Sequence, residues 1–410
     1  MKKVLSILLM LALTLSLAAC GGTPSQSSAD SGSQNANSSS TANSQASSNS
    51  NANSNGNASS DSSSAAETTD LFTDRDLSQT ADLTEAVSYT LSSGEDITIT
   101  SAGVYVLTGT ASGTTVVVDA GDDDKVQLVL DGVSITNDDF PCIYVKNADK
   151  VFVTTTDSQN VLKVTGTFRA DGSTHTDAVI FSRDDLVFNG TGSLQISSTD
   201  NGISGKDDIK VTGGTLSIVA EDCGIEANDA ICMADGAITI SAKSDGLHAE
   251  NDDDNTKGSV YIGSGTLDIQ AGDDGIHATT VAQIDNGEIT VTAAEGIEAT
   301  QIQINGGTIH ITATDDGVNA AKKSSAYTTL FEMNDGTLTV VMANGDTDAI
   351  DANGDLRITG GTLDLTCRSP FDYDGTAQYT GGTIIVNGVE TNSIANQAFG
   401  PGGMRGGPGH

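Results

Sequence analysis

Residues 274–291 read DGIHATTVAQIDNGEITV, and this stretch holds both units that the rest of the chain repeats. Its first unit, DGIHA, returns as DGLHA from Asp245, EGIEA from Glu295 and DGVNA from Asp316. Looser versions are NGISG from Asn201, CGIEA from Cys223 and DAIDA from Asp348. Its second unit, NGEITV, returns as TGSLQI at 191, GGTLSI at 213, DGAITI at 235 and SGTLDI at 264. It continues as GGTIHI at 306, DGTLTV at 335, GGTLDL at 360 and GGTIIV at 381. Each hexamer has glycine second and apolar residues fourth and sixth, the period-two alternation of a strand with one buried face. Helical periodicity is absent.

The hexamer glycines are separated by 22, 22, 29, 22, 20, 29, 25 and 21 residues. A period near 22 built of short β segments predicts a solenoid, in which each repeat buries its apolar face only by stacking on its neighbours. Leucine-rich repeats share the period, but their LxxLxLxxN pattern is missing. So is the calcium-binding nonapeptide GGxGxDxUx. The expected fold class is all-β, a single parallel β-helix, right-handed by the rule for parallel crossovers. Between hexamer glycine and pentamer glycine the distance is 9 or 10, whereas Gly246 to Gly265 and Gly317 to Gly336 are each 19. The insertions NDDDNTK (251–257) and AKKSSAY (321–327) therefore leave the coil at the same place, and loops inserted on one side often line a binding face.

Stacking brings equivalent residues of successive coils about 4.8 Å apart. The pentamers then form an aliphatic column of Ile203, Ile225, Leu247, Ile276, Ile297, Val318 and Ile350, pointing inward. A first polar column holds Asn201, Cys223, Asp245, Asp274, Glu295, Asp316 and Asp348. A second holds Ser204, Glu226, His248, His277, Glu298, Asn319 and Asp351. More acids precede the turns at Asp200, Glu221, Asp222, Asp273, Asp315 and Asp346. Like charges at that spacing repel by roughly 1 kcal/mol per pair in water, and roughly 3.5 kcal/mol at an effective dielectric of 20. Either the side chains splay into solvent or cations neutralise them. Hard oxygen donors at flexible spacing suit Ca²⁺. The candidate ligands are Asp245, Asp273, Asp274, Glu295, Asp315 and Asp316, extended by Asp222, Glu226 and Glu298. His248 and His277 read as hydrogen-bonded ladder residues at the ligand face rather than as metal ligands. Asp252, Asp253 and Asp254 are either part of that face or a solvated charge run. The alternative is turn chemistry alone, because Asp and Asn tolerate left-handed backbone and glycine supplies positive φ.

The chain has 410 residues and a net charge of −37, with 55 acidic residues against 18 basic ones. That balance excludes a nucleic-acid partner, which calls for basic patches. With no Trp and only 4% aromatics, a flat aromatic sugar platform is not expected. Lys2 and Lys3, an apolar run from Val4 to Leu17 and the small residues before Cys20 read as a lipoprotein signal, residues 1–19. Cys20 would carry the lipid and make the protein an anchored surface lipoprotein. Residues 20–68, dominated by Ser, Asn and Ala, read as a disordered tether spanning roughly 35–40 Å. Residues 69–396 are the repeat domain, and 397–410 a low-complexity tail. Cys142, Cys223, Cys232 and Cys367 fit no metal spacing and read mostly as buried small residues.

Several segments carry a family resemblance. They are GVYVLTGTASGTTVVVDAGDDDKVQLVLDGVSITN (103–137), IYVKNADKVFVTT from Ile143, FSRDDLVFNGTGSLQI from Phe181 and GISGKDDIKVTGGTLSI from Gly202. They resemble a bacterial family of carbohydrate-binding domain proteins, calcium-bearing right-handed parallel β-helices shaped like pectate lyases. The resemblance covers about residues 85–390. It implies binding of an acidic polysaccharide such as polygalacturonate, or of cellulose, with calcium. Ser204, Glu226, His248, His277 and Glu298 stand where the family usually has lysine, so this face is more negative. Two other functions remain open. One is a structural surface protein in which calcium only stabilises the fold. The other is a polysaccharide lyase, whose base is often Arg. Arg183 sits in a repeated turn, and Arg357 and Arg368 fall near the end of the ladder.

Overall fold

The structure is a computed structural model that describes residues 71–343 and 348–396. The leader 1–19, Cys20, the tether, Asp346 and the tail 397–410 lie outside the described residues. Every helix or strand among the described residues is a β-strand, and strand joins strand in parallel. The exception among named strands is Thr383–Val386, which pairs antiparallel with Val389–Thr391.

A coil contributes up to three short strands. Asn201–Gly205, Ile209–Val211 and Thr215–Ala220 make one; Ile225–Ala227, Ala230–Met233 and Ala237–Ala242 make the next. Ile203 pairs with Ile225, Ile209 with Ile231 and Leu216 with Ile238, so each coil lies in register on its neighbour along all three strands. The alternation read from the hexamers sets this register. A slip of one residue would turn every apolar side chain outward. Inside runs one continuous hydrophobic column, and the residues from Ile203 to Ile350 named in the aliphatic column are at most 1% exposed.

The two sets of glycines do different work. From Gly214 onward the hexamer glycines take positive φ, as at Gly214 (78°), Gly236 (114°) and Gly265 (95°), and so form the turn between strands. The pentamer glycines do not, which corrects the turn reading of the Asp-Gly pairs. A Cβ placed on Gly246 would stand 2.5 Å from the carbonyl oxygen of Gly275 and 2.5 Å from Ile269 Cγ2. Glycine is needed there because successive backbones and a core isoleucine approach too closely for a side chain. Gly246→Ala is expected to cost about 1–3 kcal/mol by overpacking, read as a lower urea midpoint; an unchanged midpoint would refute the close approach.

One non-repeating segment, residues 71–80, crosses the coils. Leu71 O accepts from Lys210 Nζ (2.8 Å), Gln79 Nε2 donates to Thr212 O (2.9 Å), and Gly190 N donates to Gln79 Oε1 (2.9 Å). Arg75 stacks over Phe152 at 4.4 Å, and Asp76, 0% exposed, faces Lys150 at 3.4 Å.

Candidate functional site

The pentamers line up as their spacing requires. Asp274 pairs with Glu295, and the second polar column runs in register as Ser204, Glu226, His248, His277, Glu298, Asn319 and Asp351. Upstream the same column continues as Tyr144 and Phe181. Those two rings and Phe140 form a small aromatic nest with Arg169 over Phe140 at 4.0 Å. Tyr144 and Phe181 are each 1% exposed, so the nest is covered rather than open as a platform.

The first column shows why a short acid or amide recurs. Asn201 Oδ1 accepts from Cys223 N (2.9 Å), Asp245 Oδ1 from Asp274 N (2.8 Å) and Asp316 Oδ1 from Asp348 N (3.2 Å). Each side chain thus satisfies a backbone amide of the following coil, a group that would otherwise be buried at a cost.

The ladder neither splays into solvent nor stands as bare like charges. Asp245, Asp274, His277, Glu298 and Asn319 are all buried. His248 Nδ1 lies 2.6 Å from Asp245, and His277 Nδ1 lies 2.8 Å from Asp274 and 3.1 Å from Glu298. Lys323 Nζ reaches Glu298 at 2.7 Å. Asn319 Nδ2 donates to Glu295 (3.0 Å) and Glu298 (3.3 Å), and Asn201 Nδ2 to Glu226 (2.5 Å). Burial alone would favour neutral His277, yet its bonds to Asp274 and Glu298 outweigh burial and push its pKa up to about 10. Glu298 is buried too, but His277 and Lys323 hold its carboxyl below the usual range.

The remaining carboxyls show the strain of crowding. Burial, with nearby carboxylates adding to it, pushes Glu295 up to about 7, Asp316 up to about 6 and Asp351 up to about 7. Asp274 is raised mainly by burial as well. Oxygen atoms of Asp274, Glu295 and Glu298 all lie within 4.8 Å of one another. That all-oxygen set, drawn from two coils, fits a hard divalent cation such as Ca²⁺. Asp222, Asp273 and Asp315 are exposed outside the ladder, and Glu226 is half-buried beside Lys206 (3.3 Å).

The insertions do more than project from one side. Asn255 Nδ2 donates to Ser325 Oγ (2.8 Å), Ser324 Oγ donates to Asn255 O, and Ser324 N and Lys323 N bond Thr300 Oγ1. The two loops meet across the coils between them, beside the ladder. Within the first loop, Asn251 Oδ1 accepts from the amides of Asp253 and Asp254, and Asp254 accepts from Thr256. Asp254 thus holds a turn, while Asp252 and Asp253 are exposed. The loop also docks backward, with Lys257 and Asn251 on Asp229.

Sequence reasoning passed over a second acid cluster. Asp207, Asp208 and Asp229 converge within 4.8 Å, and burial with Asp229 pushes Asp207 up to about 7. The signal was available, since Asp207 and Asp229 are one 22-residue repeat apart, as Cys223 is from Asn201. Of the arginines considered for catalysis, Arg357 pairs with Glu332 (2.7 Å) on a different strand column from the ladder, and exposed Arg183 donates to Thr174.

The sequence profile of a family described as carbohydrate-binding domain-containing protein matches residues 93–346 and again 294–390. A carbohydrate-binding domain-containing protein of Acetivibrio thermocellus is 36% identical over 126 residues, 30% of this chain and 44% of that protein. The aligned part thus spans less than half of that relative's length. Among solved structures, a polysaccharide lyase-like protein from C. thermocellum, in its gadolinium derivative, aligns with a TM-score of 0.43 and 23% identity, over 72% of this chain and 98% of that one.

Proposed function

The chain belongs to the carbohydrate-binding domain-containing protein family, and from that premise we propose that it binds acidic polysaccharide, without cleaving it, through calcium held on the ladder. The observation that carries this reading is the convergence of Asp274, Glu295 and Glu298. A cation there, with Asp316 and Asp351 on the following coils, would join protein carboxylates to the carboxylates of a uronate chain. On this reading Asp245 belongs to the same ladder, and exposed Asp222, Asp273 and Asp315 form its outer rim. We take the coils as right-handed, by the rule for parallel crossovers, with a repeat near 22 residues, the separation of Asn201 and Cys223, and polygalacturonate as the leading glycan, ahead of cellulose. The signal 1–19, lipidated Cys20 and tether 20–68 complete the proposal as surface display. No helix among the described residues is long and apolar enough to cross a membrane; in this proposal the membrane is met through the lipid on Cys20.

A specific observation favours a second reading. Histidines, Lys323 and amides already neutralise part of the ladder, so it also serves as an internally satisfied structural spine. Co-sedimentation with insoluble pectate separates the two. Binding in calcium is expected to vanish in chelator and to weaken about tenfold in Glu295→Gln, with no unsaturated product in the supernatant. No sedimentation in either condition would remove the pectate reading, and product would replace binding with catalysis.

A further inference from the structure

His248 and His277 are in register on adjacent coils, and their rings stack at 4.7 Å with 15° between planes. Each turns Nδ1 toward the acid three residues before it, Asp245 or Asp274. Asp245 is in turn fixed by the amide of Asp274. A carboxylate on Nδ1 orients an imidazole and selects the tautomer whose Nε2 is free to ligate a metal. Because the rings are nearly parallel and share this anchoring, both Nε2 atoms turn to the same side.

That side has the donors of a metal site. Glu250 Oε2 stands 3.2 Å from His248 Nε2, close to the ~3.4 Å edge of a tetrahedron with metal bonds near 2.1 Å. His277 is 8% exposed, and its Nε2 is buried with no hydrogen-bond partner. Thr279 follows His277 by two places, as Glu250 follows His248, and its Oγ1 is also buried without a partner. A buried polar atom left without a partner is destabilising. Two such atoms at adjoining positions, next to a carboxylate already set on the other imidazole, mark a place shaped for a ligand.

We propose that His248 Nε2, His277 Nε2 and Glu250 bind a divalent transition metal of the zinc class, at a site distinct from the all-oxygen calcium rung. Two imidazoles and a carboxylate suit such an ion, whereas oxygen-only sets suit calcium. The ring centroids stand 4.7 Å apart, and the three donors are not among the sets already within 4.8 Å of one another, so binding requires the stacked rings to tilt toward each other. Thr279 lines the site, and three protein donors leave a fourth position open. The site adds a second metal to the face without depending on the sugar-binding reading.

The test uses untagged full-length protein, stripped with chelator and titrated with Co²⁺. A visible absorption band of tetrahedral cobalt is expected to saturate at one equivalent, to be displaced by Zn²⁺ and to be unmoved by millimolar Ca²⁺. Glu250→Gln and His277→Gln should each weaken cobalt binding at least tenfold. Glu250 is exposed, so its variant keeps the test valid where a histidine variant fails to fold. Absence of the band, displacement by Ca²⁺, or unchanged binding in Glu250→Gln would overturn the proposal. So would a near-ultraviolet thiolate band lost in Cys223→Ser. That result would place the ion on the Nδ1 side, where Cys223, Asp245 and His248 also converge within 4.8 Å.

Discussion

In chelator, the melting temperature is expected to fall by about 5 °C or more between pH 5.5 and 8.5, and calcium is expected to cancel most of that fall. Glu295, Asp316, Asp351 and His277 all bind their protons more tightly when folded. Such groups contribute stability that is fully present below the unfolded pKa and is lost as pH rises to the folded one. The windows run from 4.5 to about 7 for Glu295 and from 3.8 to about 6 for Asp316. They run from 3.8 to about 7 for Asp351 and from 6.5 to about 10 for His277. Glu298 has the opposite sign, since its lowered pKa makes its contribution disappear as pH falls. Stability without metal therefore peaks in mild acid. A few kcal/mol in a domain of this size corresponds to the stated temperature shift. Calcium needs the ionised carboxylates and binds the native state, so its stabilisation grows with pH, reaching about 2.7 kcal/mol at a hundred times its Kd. Thermal scans across pH, with calcium and with chelator, check this. Superimposable curves would show that no calcium sits on the ladder.

Asp76→Ala is expected to cost about 3–5 kcal/mol, the loss that follows when one partner of a buried ion pair is removed. Asp76 is 0% exposed, faces Lys150 at 3.4 Å and accepts from the amide of Thr73 at 2.9 Å. Thr212 Oγ1 also bonds its carbonyl. Without the carboxylate, Lys150 keeps only Asp185, at 3.3 Å. The 71–80 segment then loses its buried ion pair with the coils and rests on its remaining contacts through Leu71, Arg75 and Gln79. The specific readout is amide exchange at Gly190, whose N–H is held by Gln79; it should accelerate in the variant together with the fall in stability. Unchanged exchange at Gly190 would show that the segment is held elsewhere.

The parts of this molecule legible in its sequence are those that repeat. Glycine spacing and period-two alternation place Ile203, Ile225 and Leu247 one above another, and the same arithmetic aligns Glu226, His248, His277 and Glu298. The non-repeating contacts were not legible, because a contact such as Asp76 to Lys150 or Asn255 to Ser325 leaves no period behind. Identity was also easier to read than cause. The pentamer glycines were conspicuous, but both a positive φ and a close approach select glycine, and only coordinates separate Gly246 from Gly265. Likewise the repeated acids pointed to charge, while the first duty of Asp245 and Asp316 is to accept a backbone amide from the following coil.

A stack of parallel coils has no intrinsic last member. Its terminal strand offers unpaired amides and carbonyls, and an identical chain could add to them and grow a filament. Here the final hexamer strand, Thr383–Val386, is met by its own continuation, Val389–Thr391, folded back in the opposite sense. The reversal is made possible by Asn387 and Gly388, both at positive φ. A strand running the wrong way occupies the edge that another copy would need to continue the register. Two residues of left-handed backbone thereby close this strand edge to a further parallel copy.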